Sequence, residues 1–372
     1  MSEAIQAITM PKWGLAMEEG MVAAWLAEEG STISAGQEVM EIETSKITNV
    51  YESPVGGTLR RRIVGEGETV PVGALLGLVA ESDVSDADLD AYVEEFNANF
   101  AVQAAEAGDS APEPETIEAG GHSLNYLRLG TGEGTPIVLL HGFGGDLNNW
   151  LFNQPALAEQ HDVIALDLPG HGRSSKDVGG GDMAMLRGAL GAFLDALEIE
   201  RAHLVGHSMG GALSLAFALD HPDRVAALTL VAPAGLGPEI NMDYIEGFIG
   251  AGKRKEMKTA LQLLVADAEL ISRDMVNDVL KYKRLDGVEA GLRRLADGLF
   301  PDGRQQTLDG GALGGLGMPI VVAWGEADQI LPIGHADALP GSAKVERLSG
   351  IGHLPHMEAA AEVNRLIEET LG

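Results

Sequence analysis

Three residue types that together can make a nucleophile occur in a fixed order in this chain: a serine at 208, an aspartate at 328 and a histidine at 353. Ser208 lies in Gly206-His207-Ser208-Met209-Gly210, after the apolar run Ala202 to Val205, which His203 interrupts, and before the small-residue stretch Gly211 to Leu219. A serine at such a strand-to-helix turn has its hydroxyl pushed clear of the backbone, and the flanking glycines spare the turn side chains it has no room for. The pattern alone is weak, since a chain with this Gly and Ser content would produce roughly 0.3 copies by chance. Its company carries the argument. A serine hydroxyl is a poor nucleophile until a base accepts its proton, the role read for His353 in Gly350-Ile351-Gly352-His353. A carboxylate, Asp328 in Gly325-Glu326-Ala327-Asp328, would fix the imidazole tautomer and stabilise the imidazolium. A developing oxyanion needs backbone donors, read as the N–H of Met209 and that of Phe143 in His141-Gly142-Phe143-Gly144-Gly145. Losing one such donor typically costs ~2.7–4 kcal/mol of barrier. The bland alternatives are His356 as base or as a helix-start residue, Glu326 in place of Asp328, His207 as a structural or pocket-lining group, and His141 as the residue that orients the oxyanion loop.

A second chemistry-bearing residue is Lys46. Residues 1–82 contain a repeat at an offset of 37: Glu29-Gly30-Ser31-Thr32-Ile33 matches Glu66-Gly67-Glu68-Thr69-Val70, Gly36 matches Gly73, and Val39-Met40-Glu41-Ile42 matches Leu76-Gly77-Leu78-Val79. Both copies read as short strands between glycine turns, which implies two similar halves of a small flattened barrel. Glu43-Thr44-Ser45-Lys46-Ile47 links the halves, so Lys46 is expected at a hairpin tip, at the symmetry point of the repeat.

These residues must be held by something, and composition bounds what that is. The chain has 372 residues, enough for one large domain plus a small one, and 45% of them are hydrophobic. Net charge is −31; residues 83–118 contain no Lys or Arg at all. Such a balance argues against nucleic acid or an anionic membrane as partner, because phosphates demand clustered cations. With no cysteine there is no disulfide framework, thiolate metal site or cysteine nucleophile. The first ten residues lack the basic and apolar regions of a secretory signal, and no apolar run is long enough to span a membrane. A cytoplasmic protein is expected, with no metal; the sequence leaves oligomeric state open, a homo-oligomer included.

Residues 83–118 read as an acidic connector. Ser85-Asp86-Ala87-Asp88 looks like a helix start, and Leu89, Tyr92, Val93, Phe96 and Phe100 recur on one helical face, either packing on their own chain or docking a partner. From Ala105 to Glu118 the composition becomes that of a flexible tether. Residues 119–372 alternate strand and helix: strands at 136–140, 163–166, 202–205, 228–231, 320–324 and 344–348, a helix over 184–197 and a closing helix over 359–371. That alternation implies a parallel sheet covered by helices. From about 238 to 317 the pattern is helical, in the place of a lid.

The first 82 residues resemble a lipoyl domain, which implies lipoate in amide linkage on Lys46. The family's usual Asp-Lys-Ala is replaced here by Ser45-Lys46-Ile47, and the methionines that flank the lysine of biotinyl carriers are absent. The opening Met10-Pro11-Lys12-Trp13-Gly14 is part of the same resemblance. Residues 119–372 resemble an α/β-hydrolase, in which nucleophile, acid and histidine follow in that order. The expected fold is therefore a small all-β lipoyl-type barrel followed by an α/β-hydrolase fold with a helical lid.

The combination resembles the acetyltransferase components of bacterial acetoin dehydrogenase complexes. That resemblance implies transfer of an acetyl group from lipoyl-Lys46 to coenzyme A through Ser208. It also implies a thiamine-diphosphate-dependent partner that loads the arm and a flavin-dependent dihydrolipoyl dehydrogenase that reoxidises it. Lys253-Arg254-Lys255 is a candidate for the coenzyme's phosphates, or a solvated helix face. The alternatives are an ester or thioester hydrolase and a non-catalytic lipoyl carrier.

Overall fold

The computed structural model describes residues 5–11, 19–44, 48–81, 84–106, 112–130 and 134–371. Lys46 lies outside them, with Ser45 and Ile47, and so do Lys12, Trp13 and Gly14. The chain divides into two compact units, residues 1–111 with 272–275 and residues 112–271 with 276–372.

The first unit holds β1 (Ile5–Thr9), β2 (Glu19–Trp25), β3 (Thr32–Ile33), β4 (Glu38–Glu43), β5 (Thr48–Glu52), β6 (Gly57–Arg62), β7 (Thr69–Pro71) and β8 (Leu75–Ala80), then α1 (Asp86–Glu106). Two four-stranded antiparallel sheets form, in the orders β1-β8-β6-β3 and β5-β4-β2-β7. Moving along the 37-residue offset exchanges one order for the other, β4 for β8, β2 for β6 and β3 for β7. The turn glycines obey the same relation: φ is +83° at both Gly30 and Gly67, and +79° and +83° at Gly36 and Gly73. A side chain there would be strained, which is why glycine recurs at those places. Ile8, Val22, Met40, Ile42, Leu59 and Leu76 fill the space between the sheets.

The aromatic stripe of the connector is spent on its own unit. Ser85 Oγ accepts the N–H of Asp88 at 3.2 Å and so caps α1. Leu89, Tyr92, Val93 and Phe96 pack against Ile5, Leu75, Leu78 and Ala80 on the outer face of the β1–β8 sheet. Arg60 and Arg61 pair with Asp86, and Arg61 also pairs with Asp90. At 21 residues α1 runs past the apolar stripe, through a last stretch rich in Ala and Gln, which are good helix formers.

The second unit is built on an eight-stranded sheet. Its strands are β9 (Glu115–Ala119), β10 (His122–Leu129), β11 (Ile137–Leu140), β12 (Val163–Leu166), β13 (Ala202–His207), β14 (Val225–Val231), β15 (Ile320–Gly325) and β16 (Lys344–Leu348). The order is β16-β15-β14-β13-β11-β12-β10-β9. Pairing is parallel from β12 to β16, and β10 is antiparallel to β12 and β9. β11, β12 and β13 are buried at every residue, as expected for central parallel strands covered on both faces. The helices are α2 (Gln154–Leu157), α3 (Met183–Ala196), α4 (Met209–Asp220), α5 (Met242–Gly250), α6 (Arg254–Gln262), α7 (Arg273–Lys283), α8 (Val288–Leu299), α9 (Pro355–Glu358) and α10 (Ala360–Leu371).

β9 begins at Glu115, inside the stretch read as tether. It is an edge strand with Glu115, Thr116 and Glu118 exposed, so it carries no apolar signal. Between β14 and β15 the described residues contain helices and no strand, so 238–317 forms a helical insert. Among the described residues no helix is long and apolar enough to cross a membrane.

Candidate active site

Ser208 joins β13 to α4 with φ +50° and ψ −112°, a conformation rarely adopted by a non-glycine residue. The turn is enforced by backbone contacts that leave no space for side chains. A Cβ on Gly206 would lie 2.3 Å from the Gly210 carbonyl oxygen, and one on Gly210 would lie 2.2 Å from that of Leu140. Met209 is the first residue of α4, where a helix N–H has no carbonyl of its own helix to bond.

Phe143 follows β11 in a loop held from three sides. Leu168 N–H donates to His141 Nε2 at 3.0 Å, so the ring proton sits on Nδ1, which donates to the Gly142 carbonyl at 2.8 Å. Gly144 N–H donates to His171 Nε2 at 3.0 Å. From the insert, the Tyr244 hydroxyl donates to the Phe143 carbonyl at 3.0 Å, while Phe248 rests against Gly144. Burial drives both His141 and His171 below the ordinary histidine range, so they brace the loop as neutral rings.

Asp328 and His353 come from the loops after β15 and β16. His353 Nδ1–H donates to Asp328 Oδ2 at 2.8 Å, and both side chains are 2% exposed or less. The same oxygen accepts Trp324 Nε1–H at 3.0 Å, and Oδ1 accepts the N–H groups of Ile330 and Leu331 at 2.7 and 3.0 Å. Burial alone would raise this carboxyl. The charge and hydrogen bond of His353 and the two backbone donors outweigh it, and Asp328 lies below the usual carboxylate range. A carboxylate so placed stays ionised and fixes the imidazole with Nε2 free to accept a proton.

Glu326 points to solvent and takes no part in this bond. His207 Nε2–H donates to the His353 carbonyl at 2.8 Å, which ties the turn of Ser208 to the loop of His353. His356, in α9, is fully buried between Trp150 and His207 with ring centroids 4.6 and 4.5 Å away; burial pushes it down to about 3, and Asp328 pairs with His353 instead. Beside Met209 lies an apolar pocket bounded by Ala212, Gly235, Leu299, Phe300 and Leu308. The Gln305 amide at its wall is already committed, accepting Gly235 N–H and donating to the Glu239 carbonyl. In the first unit β4 and β5 pair to their ends, Glu43 opposite Thr48.

Tyr244, Trp324 and His171 were not singled out from the sequence. His171 follows the strand at 163–166 and Trp324 ends the strand at 320–324, but Tyr244 belongs to the insert, where no spacing marks it.

Known proteins can now be set beside this geometry. The model of the alpha/beta hydrolase fold matches residues 135–360, and that described as "Biotin-requiring enzyme" matches residues 6–79. Fold and site thus define an α/β-hydrolase preceded by a biotinyl/lipoyl-type domain. Among solved structures, a meta-cleavage product hydrolase from Pseudomonas fluorescens superposes with a TM-score of 0.63 at 25% identity, covering 69% of this chain and 96% of that one. Relatives that share both units are closer in sequence. The dihydrolipoyllysine-residue acetyltransferase component of the acetoin cleaving system of Cupriavidus necator is 46% identical over 100% of this chain and 98% of its own. That of Pseudomonas putida is 48% identical over 97% of each. The chain belongs to this family of dihydrolipoyllysine-residue acetyltransferases.

Proposed function

We propose that Ser208, His353 and Asp328 carry an acetyl group from a lipoyl thioester to coenzyme A. Lipoate, held in amide linkage by Lys46 between β4 and β5, supplies a mobile dithiol that presents the acyl group as a thioester. The Ser208 hydroxyl attacks the thioester carbonyl carbon while His353 Nε2 takes its proton. Phe143 and Met209 N–H groups receive the charge on the carbonyl oxygen. The C–S bond breaks, the departing sulfur takes the proton from His353, and Ser208 is left acetylated. Coenzyme A then gives its thiol proton to His353, its sulfur attacks the acetyl ester, and Ser208 recovers its proton.

The observation that carries this reading is the buried 2.8 Å bond between His353 and Asp328 at the same sheet end as the strained Ser208. The pocket beside Met209 offers a short acyl group a largely apolar wall of Ala212, Leu299, Phe300 and Leu308. The insert covers the site as a lid, and the exposed Lys253, Arg254 and Lys255 at the start of α6 offer positive charge to the phosphates of the acceptor. Membership of a multienzyme complex follows from the family. Within it, a thiamine-diphosphate-dependent partner loads the thioester and a flavin-dependent dihydrolipoyl dehydrogenase reoxidises the dithiol.

The test is acetyl transfer from acetyl-coenzyme A to free dihydrolipoamide, wild type against Ser208→Ala. Serine-dependent acetyl-dihydrolipoamide supports the assignment. Serine-dependent acetate makes water the acceptor, and no reaction in either protein leaves the chain a carrier.

A further inference from the structure

We propose that Glu358 is a positioning residue for the base, and that it acts by binding the loop of His353 to segment 264–266 of the helical insert. The inference rests on His353 being the base. The Glu358 carboxylate accepts Gly352 N–H at 3.0 and 3.2 Å, Leu354 N–H at 3.2 Å and Ala266 N–H at 2.8 Å. The N–H between them, that of His353, donates to the Leu264 carbonyl at 2.7 Å. Every backbone donor from 352 to 354 is therefore held, two by one carboxylate and one by the insert, and that carboxylate also holds the insert.

The approach is close enough to exclude a side chain. A Cβ on Gly352 would lie 2.6 Å from Ala266 N and 2.9 Å from the Leu264 oxygen. The insert reaches the other side of the site through α5, where Tyr244 donates to the Phe143 carbonyl. It thus touches both the base loop and the oxyanion loop, and Glu358 is the anchor on the base side. A displacement there moves the imidazole relative to Ser208.

Burial pushes the Glu358 carboxyl up, and the hydrogen bonds from the Ala266, Gly352 and Leu354 N–H groups oppose it, so the charge rests on the donors that the carboxylate binds.

Glu358→Gln keeps the size, removes the charge and turns an NH2 group toward backbone donors. The expected result is a kcat per titratable serine lower by about tenfold to a hundredfold. KM for the acetyl thioester should stay within about twofold. The amides of Gly352, Leu354 and Ala266 should exchange hydrogen faster. Serine titration with a fluorophosphonate separates these effects from loss of folded protein, which would lower the titrated fraction. An unchanged kcat per serine overturns the proposal. Where Glu358→Gln does not fold, Glu358→Asp keeps the charge on a shorter arm: a lower kcat at unchanged KM supports the proposal, and wild-type kcat overturns it.

Discussion

Asp328→Asn changes one atom and tests the proposed triad most sharply. All four groups that reach the carboxylate are N–H donors: His353 and Trp324 on Oδ2, Ile330 and Leu331 on Oδ1. An amide offers one oxygen. The backbone donors of Ile330 and Leu331 cannot rotate away, so the oxygen stays with them and the NH2 turns toward His353. The imidazole can meet an NH2 only by presenting a bare Nδ1, which puts its proton on Nε2. That is the nitrogen that must be bare to accept the proton of Ser208. A fixed wrong tautomer costs a triad about 10⁴ in kcat, close to ~5.4 kcal/mol of barrier at 1.36 kcal/mol per tenfold. Trp324 Nε1–H is left facing a donor as well, which costs ~1–3 kcal/mol of stability and lowers Tm by a few degrees. Acylation of Ser208 is read directly as the burst of p-nitrophenol from p-nitrophenyl acetate, alongside steady-state acetyl transfer. A folded Asp328→Asn enzyme that acylates within tenfold of wild type would refute the arrangement of acid and base described here.

Tyr244→Phe removes the hydroxyl that holds the Phe143 carbonyl at 3.0 Å, and should lower kcat roughly threefold to tenfold while destabilising the fold by ~1 kcal/mol, checked by acetyl transfer and denaturant titration. Leu308→Ala opens the pocket beside Met209; since one buried methylene is worth ~0.8 kcal/mol, kcat/KM for longer acyl thioesters relative to acetyl should rise about fourfold per methylene. Buried neutral histidines set the acid limit of stability. An unfolded histidine takes up a proton below about 6.5, whereas His203 and His356 stay neutral down to about 3. In that interval the unfolded chain holds more protons, so stability falls on acidification, on the order of 2 kcal/mol per residue between pH 6.5 and 5. Urea unfolding at the two pH values checks this, and His203→Gln should reduce the slope by about one proton.

What was legible in the sequence follows from where each element is buried. β11 and β12 lie in the middle of the sheet and are written as unbroken apolar runs, and β13 beside them is broken only by His203 before Val205. Ser208 and Asp328 stand just past such runs, while His353 follows β16, a strand with Lys344, Glu346 and Arg347 whose signal is weaker. β9 could not be read, because an edge strand with acids on its open side resembles a linker. The connector's aromatic stripe showed a helix but not its partner; Leu89 meets Leu75 and Leu78 through a fold that no local spacing encodes. The hydroxyl of Tyr244 and the carboxylate of Glu358 reach the site across 101 and 92 residues of chain, to Phe143 and Ala266, and nothing near either residue announces the contact.

The glycines around the site bear on how its chemistry can change. Gly206, Gly210, Gly325 and Gly352 each stand where a methyl group would strike backbone, and Gly142 where it would strike His207. The strands and turns that carry Ser208, Asp328 and His353 are thus fitted main chain to main chain, and almost no substitution at these points leaves the frame intact. Novelty in acyl donor or acceptor has to enter through the insert and the pocket walls, where α5, α8 and Leu308 meet the site by side chains that can be exchanged. For anyone redesigning this protein, the frame is a fixed chassis and the insert is the part to vary.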